Sequence, residues 1–176
     1  GLYLLQVGGK GKVRAQLMGS GTILREVIAA AEMLEADFDI PADVWSVTSF
    51  SELARDARSA ERDARLHPES ALPVAHVQHC FADREGPFVA ATDYMALVPD
   101  QIRAWVPGRY VTLGTDGYGR SDGRVALRRH FEVDRWHIAI AALKALADDG
   151  KLDIRTVTEA IKRYDVDPGA PDPQYA

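Results

Sequence analysis

Cysteine is almost missing from this chain: Cys80 stands alone among 176 residues. That excludes a disulfide within the chain and a multi-cysteine zinc site. Histidine is scarce as well, five in all, and only His76 and His79 lie near the thiol. His76 and Cys80 are one helical turn apart without an acidic partner, so Cys80 reads as a buried structural thiol. No apolar run is long enough to cross a bilayer, and no signal-peptide pattern stands in the opening residues. The expectation is a cytoplasmic protein with no membrane contact. Positive charge is in deficit, with 21 Lys and Arg against 26 Asp and Glu, a net charge of −5. Nucleic acid therefore has no electrostatic case as a partner, and Arg124, Arg128 and Arg129 read as a solvated helix face. Internal repeats and low-complexity segments are absent. The chain opens without methionine, already in strand-like sequence, as expected of a piece of something longer.

What is present is a repeated strand–loop–helix pattern. Residues 2–6 read as an edge strand, and 12–18 alternate Val13, Ala15 and Leu17 in strand fashion. Over 22–38, Ile23, Val27, Ala30, Leu34 and Phe38 recur at helical spacing, with Arg25, Glu26, Glu32 and Glu35 opposite and Pro41 as the stop. Strands follow at 44–47, 88–91 and 110–113. Helices are expected from a Ser49 cap to about 65, then at 73–81 with Pro73 in its first turn, 94–105, 121–131, 134–148 and 153–164. Asp134 and Asp153 are natural caps, and Gly150 is a natural stop. Parallel strands need helical crossovers, so the pattern predicts a three-layer α/β/α domain with a mainly parallel sheet of about five strands. It would occupy residues 1–165, with 166–176 as an irregular tail.

In such sheets ligands gather at the carboxyl ends of the strands. Ser20, Thr22, Ser49 and Thr92 lie there and form a candidate anion site. The segment Gly19-Ser20-Gly21-Thr22 is neither a Walker loop nor a complete dinucleotide fingerprint. The densest chemistry is in Gly114-Thr115-Asp116-Gly117-Tyr118-Gly119-Arg120-Ser121-Asp122, where Ser121 or Asp122 could cap the next helix. His67 reads as an exposed loop residue, and His130 as favourable charge at a helix end. There is no Gly-x-Ser-x-Gly elbow and no metal-spaced ligand set, so the chain lacks a complete catalytic kit.

Several segments together resemble one known family. Lys12-Val13, Leu17-Met18-Gly19-Ser20-Gly21-Thr22-Ile23-Leu24 and Trp45-Ser46-Val47-Thr48-Ser49-Phe50-Ser51-Glu52-Leu53-Ala54-Arg55-Asp56 carry it, as does Ala91-Thr92-Asp93-Tyr94-Met95. The glycine loop and Leu127-Arg128-Arg129-His130-Phe131-Glu132-Val133-Asp134 complete the series. They are similar to the C-terminal region of homodimeric, thiamine-diphosphate-dependent pyruvate dehydrogenases, within the transketolase superfamily. Transketolases carry the looser form Gly-x-Asp-x-Phe-Gly-x-Ser. Between Ala57 and Ala82 the chain departs from the pattern, with Asp63-Ala64-Arg65 where the family has Trp-Asn.

The resemblance implies a domain without the catalytic centre, in an enzyme that decarboxylates pyruvate and transfers acetyl to a lipoyl group. It places thiamine diphosphate and magnesium in preceding domains, outside this fragment. It also implies a second copy, sister domains and a lipoyl acyltransferase as partners. Asp116, Tyr118, Arg120 and Asp122 are then expected to form a docking loop facing another domain or subunit. The readings left beside this are a small-molecule or anion-binding regulatory module and a transketolase C-terminal domain.

Overall fold

The computed structural model describes residues 1–175; Ala176, the end of the expected tail, lies outside the described residues. Five strands form one sheet in the order β1-β3-β2-β4-β5. They are β1 (Leu2–Gln6), β2 (Ala15–Gly19), β3 (Ala42–Val47), β4 (Phe88–Ala91) and β5 (Tyr110–Leu113). β2, β3, β4 and β5 run parallel, and β1 pairs antiparallel with β3 at the edge. The helices are α1 (Leu24–Phe38), α2 (Phe50–Leu66), α3 (His76–Phe81), α4 (Leu97–Asp100), α5 (Arg124–His130), α6 (Arg135–Asp148) and α7 (Ile154–Arg163). The α/β/α class expected from the sequence is the observed one.

The three central strands, β2, β3 and β4, are buried on both faces, which is why they lack the alternation of a half-exposed sheet. One face packs Leu17, Val44 and Val89 against Val27 and Leu34 of α1, Ile138 and Leu143 of α6, and Val157 of α7. The other packs Met18, Trp45, Phe88 and Ala90 against Leu53 and Ala57 of α2 and Phe81 of α3. Phe81 bridges Trp45 and Phe88, with ring centroids 5.0 and 4.6 Å away. Gln16 and Asp43, buried polar residues inside these strands, satisfy each other. Gln16 donates to Asp43 and to the Glu85 carbonyl and accepts from the Trp45 indole.

Several boundaries differ from the expected ones for identifiable reasons. Residues 12–14 are not strand, because β2 pairing begins where Ala15 N–H reaches the Pro41 carbonyl, and Arg14 turns to Asp43. Residues 73–75 are extended, so α3 starts after Ala75 and Pro73 is outside it. The expected helix over 94–105 shrinks to α4 and a 3-10 turn, Arg103–Trp105. Its opening is diverted: Thr92 Oγ1 accepts from Tyr94 N–H, and the Asp116 carboxylate accepts from Ala96 N–H. Pro99 further removes one helix donor. α5 begins only after Gly123, and neither Ser121 nor Asp122 caps it. Asp134 and Asp153 do cap α6 and α7, accepting from His137 N–H and Arg155 N–H.

Glu26 is the clearest departure. It was expected on the outer face of α1 but is 5% exposed. Arg128 of α5 and Arg135 of α6 bind it at 2.8 and 2.9 Å, pulling the carboxylate inward. The arginines of α5 are correspondingly not all solvated: Arg129 donates to the Tyr164 and Asp165 carbonyls, and only Arg124 is exposed. Cys80 is half-buried rather than buried, with its sulfur 3.5 Å from His76 Nε2; burial pushes the thiol pKa up.

Candidate functional site

The connection after β2 runs through α1 to β3 on one side, whereas that after β4 runs to β5 on the other. The sheet order therefore reverses between β2 and β4, and the connections leaving the carboxyl ends of these adjacent strands diverge, which leaves a crevice there. Ser20 and Thr92 meet across it, their hydroxyl oxygens 2.7 Å apart. Of the four residues proposed for an anion site, these two are spent on each other, and Thr92 also accepts from Tyr94 N–H. Ser49 caps α2 by accepting from Glu52 N–H, away from the crevice. Thr22 alone lines the cavity found there.

That cavity has a volume of about 340 Å³. Ile23, Leu127, Phe131 and Val133 line its apolar part. Thr22, Asp93, Thr115, Arg120, Arg124 and Arg128 supply its polar groups. Arg128 shares Glu26 with Arg135, and among the described residues no ion pair engages Arg120 or Arg124. Burial raises the Glu26 pKa, but the hydrogen bonds and charge of Arg135, with the charge of Arg128, outweigh it. The net shift is downward and Glu26 stays ionised. This buried triad fixes α5, which has no buried residue of its own, as the cavity wall. The sequence signal for it was a lone acid beside Val27 in an apolar stripe, legible only once its distant arginine partners are known.

The glycine loop forms the adjoining rim. Thr115 ties it to the segment after β4, donating N–H to the Tyr94 carbonyl and its hydroxyl to the Asp93 carbonyl. Asp116 turns inward to Ala96 N–H at 3.1 Å. Tyr118 projects outward at 81% exposure, Arg120 lines the cavity, and Asp122 Oδ1 accepts from Gly123 N–H. Close approach explains two of the glycines. A Cβ on Gly114 would stand 2.2 Å from Ala96 N, and one on Gly117, where φ is +103°, would stand 2.0 Å from the Pro173 carbonyl oxygen. The tail is therefore seated against the loop. Gly117→Ala should cost about 1–3 kcal/mol and loosen the tail, seen as faster proteolysis after residue 166 with a lowered melting temperature. An unchanged melting temperature would contradict this contact.

His67 lies exposed at the end of α2, and His130 stacks edge-on with Phe131 at 4.8 Å. Neither is among the residues that line the cavity. Among the described residues no three His, Cys, Asp or Glu side chains converge as a metal site. No helix among them is long and apolar enough to cross a membrane. The arrangement can bind and orient a ligand or a surface; it offers no paired acid and base for a chemical step.

A family model described as the transketolase-like TK C-terminal domain matches residues 1–134. The chain is 52% identical over 175 residues to a pyruvate dehydrogenase E1 component of Pseudomonas aeruginosa, covering 98% of this chain and 20% of that protein. It is 47% identical over 179 residues to the E1 component of Escherichia coli K12, covering 100% of this chain and again 20% of the relative. The chain thus spans about a fifth of the length of these curated relatives. Among solved structures, a split-gene transketolase described as an inactive beta4 tetramer superposes with a TM-score of 0.55 at 20% identity, covering 83% of this chain and 42% of that one. A Campylobacter jejuni transketolase gives 0.53 at 16%, covering 82% and 18%. These two structures share the fold.

Proposed function

Because the chain belongs to the transketolase-like TK C-terminal domain family, we propose that it acts as the C-terminal domain of a pyruvate dehydrogenase E1 component. The whole enzyme would decarboxylate pyruvate on thiamine diphosphate and pass the acetyl unit to a lipoyl group of an acyltransferase. Residues 1–165 would form the folded unit, with 166–176 as its strap, in a cytoplasmic homodimer. Identity near one half along almost the whole chain supports pyruvate dehydrogenase over transketolase, as does the Tyr118-Gly119-Arg120-Ser121-Asp122 form of the loop.

One observation carries the assembly role. Tyr94, Met95, Leu97 and Tyr118 expose 64, 53, 67 and 81% of their surface, on and beside a turn clamped by Thr115 and Asp116. Apolar side chains held rigidly outward are what a docking face requires, because little conformational entropy remains to be lost on contact. Tyr118, Arg120 and Asp122 would reach the neighbouring domain or subunit, while Asp116 holds the turn behind them.

The residues present do not fit the magnesium–diphosphate unit of thiamine diphosphate. Magnesium asks for carboxylate and carbonyl oxygens, whereas the crevice offers arginines and a single carboxylate, Asp93. The cofactor's site would lie in other domains, and this chain's part is to brace them.

In the full-length protein, Tyr118→Ala should weaken dimerisation about tenfold, the usual cost of losing an aromatic anchor, and lower activity only through that loss. Sedimentation velocity and an acetyl-transfer assay over a range of protein concentrations test it. A dimer as tight as the parent's, with full activity, would remove this loop from the interface.

A further inference from the structure

The cavity between β2 and β4 carries a further inference, which shares Arg120 with the docking loop proposed above. Three observations converge on it. It lies at the reversal of sheet order, where the diverging connections of a parallel sheet leave a crevice. Its volume, about 340 Å³, falls in the range of small-molecule pockets. Its charge is unbalanced: Arg128 shares the single Glu26 carboxylate with Arg135, and Arg120 and Arg124 stand against Asp93 alone. Positive charge is therefore in excess, which suits an anionic ligand.

The apolar side chains set the rest of the ligand. Ile23, Leu127, Phe131 and Val133 would reward burial of a hydrocarbon body and offer nothing to a bare phosphate. Both free guanidiniums can present paired N–H groups to a carboxylate, and Asp93 repels a second negative charge. We propose that this cavity binds a short-chain aliphatic monocarboxylate, with its carboxylate on Arg120 and Arg124 and its chain against Leu127 and Phe131. Thr22 would then face the carboxylate from the start of the 3-10 turn Gly21–Ile23 that leads into α1.

Amide NMR titration of the 176-residue chain tests the proposal, with hexanoate, acetate and inorganic phosphate as probes. Hexanoate should give saturable shifts at Thr22, Asp93 and Leu127 and bind at least about tenfold tighter than acetate, reflecting its extra buried methylenes. Arg120→Ala and Arg124→Ala should each weaken hexanoate about tenfold, the loss of a charge-assisted hydrogen bond. Both residues are exposed, so an otherwise unchanged spectrum reports an intact fold. Asp93→Asn should strengthen phosphate binding selectively. Equal affinity for hexanoate and acetate, saturable shifts elsewhere on the chain, no saturable shift, or arginine variants that bind hexanoate like the parent would each overturn the assignment.

Discussion

Replacing Asp43 with alanine should destabilise the protein by about 3–5 kcal/mol, the range for breaking a buried charge cluster from one side. The carboxylate is 1% exposed and accepts four hydrogen bonds, from Gly8 N–H and from the side chains of Arg14, Gln16 and Arg84. Without it, Gln16, which is fully buried, keeps only the Glu85 carbonyl as an acceptor for its side-chain NH2, and the guanidiniums of Arg14 and Arg84 lose this counter-charge. Arg14 and Arg84 are 23 and 33% exposed, so water recovers part of the loss and keeps the expected value within that range. Asp43→Asn preserves the shape and keeps one accepting oxygen, but its NH2 faces two of the four donors, so it should still cost about 1–3 kcal/mol. Urea denaturation of the three proteins checks both values. A loss below about 1 kcal/mol for the alanine variant would show that the cluster is not the clamp on β2 and β3 described above.

The second large effect belongs to Glu26. Glu26→Gln should cost about 2–4 kcal/mol at neutral pH, below the full penalty for a broken buried pair because Arg135 is 40% exposed. The glutamine keeps the volume but cannot match Arg128 and Arg135 together, which bring four hydrogen bonds to the carboxylate. The pH dependence has a defined sign. The folded-state pKa of Glu26 is lowered, so its contribution is fully present above the unfolded value, about 4.3, and is lost as pH falls through the folded value. The stability difference between parent and Gln variant should therefore be constant from pH 7 to about 5 and shrink below about 4. Hydrogen exchange should locate the damage in α5, which depends on this triad and buries no residue of its own. A difference that stays level to pH 3 would show that the carboxylate charge is not what holds α5.

These two networks mark where sequence reading stops. β3, β4 and β5 were legible from short apolar β-branched runs, and α1 from Ile23, Val27, Ala30 and Leu34 at helical spacing, because both signals are local. Asp134 and Asp153 were legible as caps for the same reason: an acid's bond to an amide two or three residues ahead needs no tertiary knowledge. Glu26 was misplaced because its partners lie 102 and 109 residues further on, and a helical wheel cannot see them. The helix expected over 94–105 failed likewise, since Asp116 captures the Ala96 amide from 20 residues away.

The site divides along the same line. The sequence placed small polar residues at strand ends but could not tell which were already satisfied. Ser20 and Thr92 are 72 residues apart and spend their hydroxyls on each other, Ser49 spends its own on a cap, and Thr22 is left to line the cavity. The glycine loop was legible as a loop of fixed shape, whereas its contact with Pro173 and the inward turn of Asp116 were not. Alternation, helical period, capping residues and family motifs thus determined the class of fold and the kinship of the chain, because each is written within a few neighbouring residues. The cavity, its excess of positive charge and the outward apolar turn were decided only by tertiary structure, because they depend on which distant charges and hydroxyls find each other first.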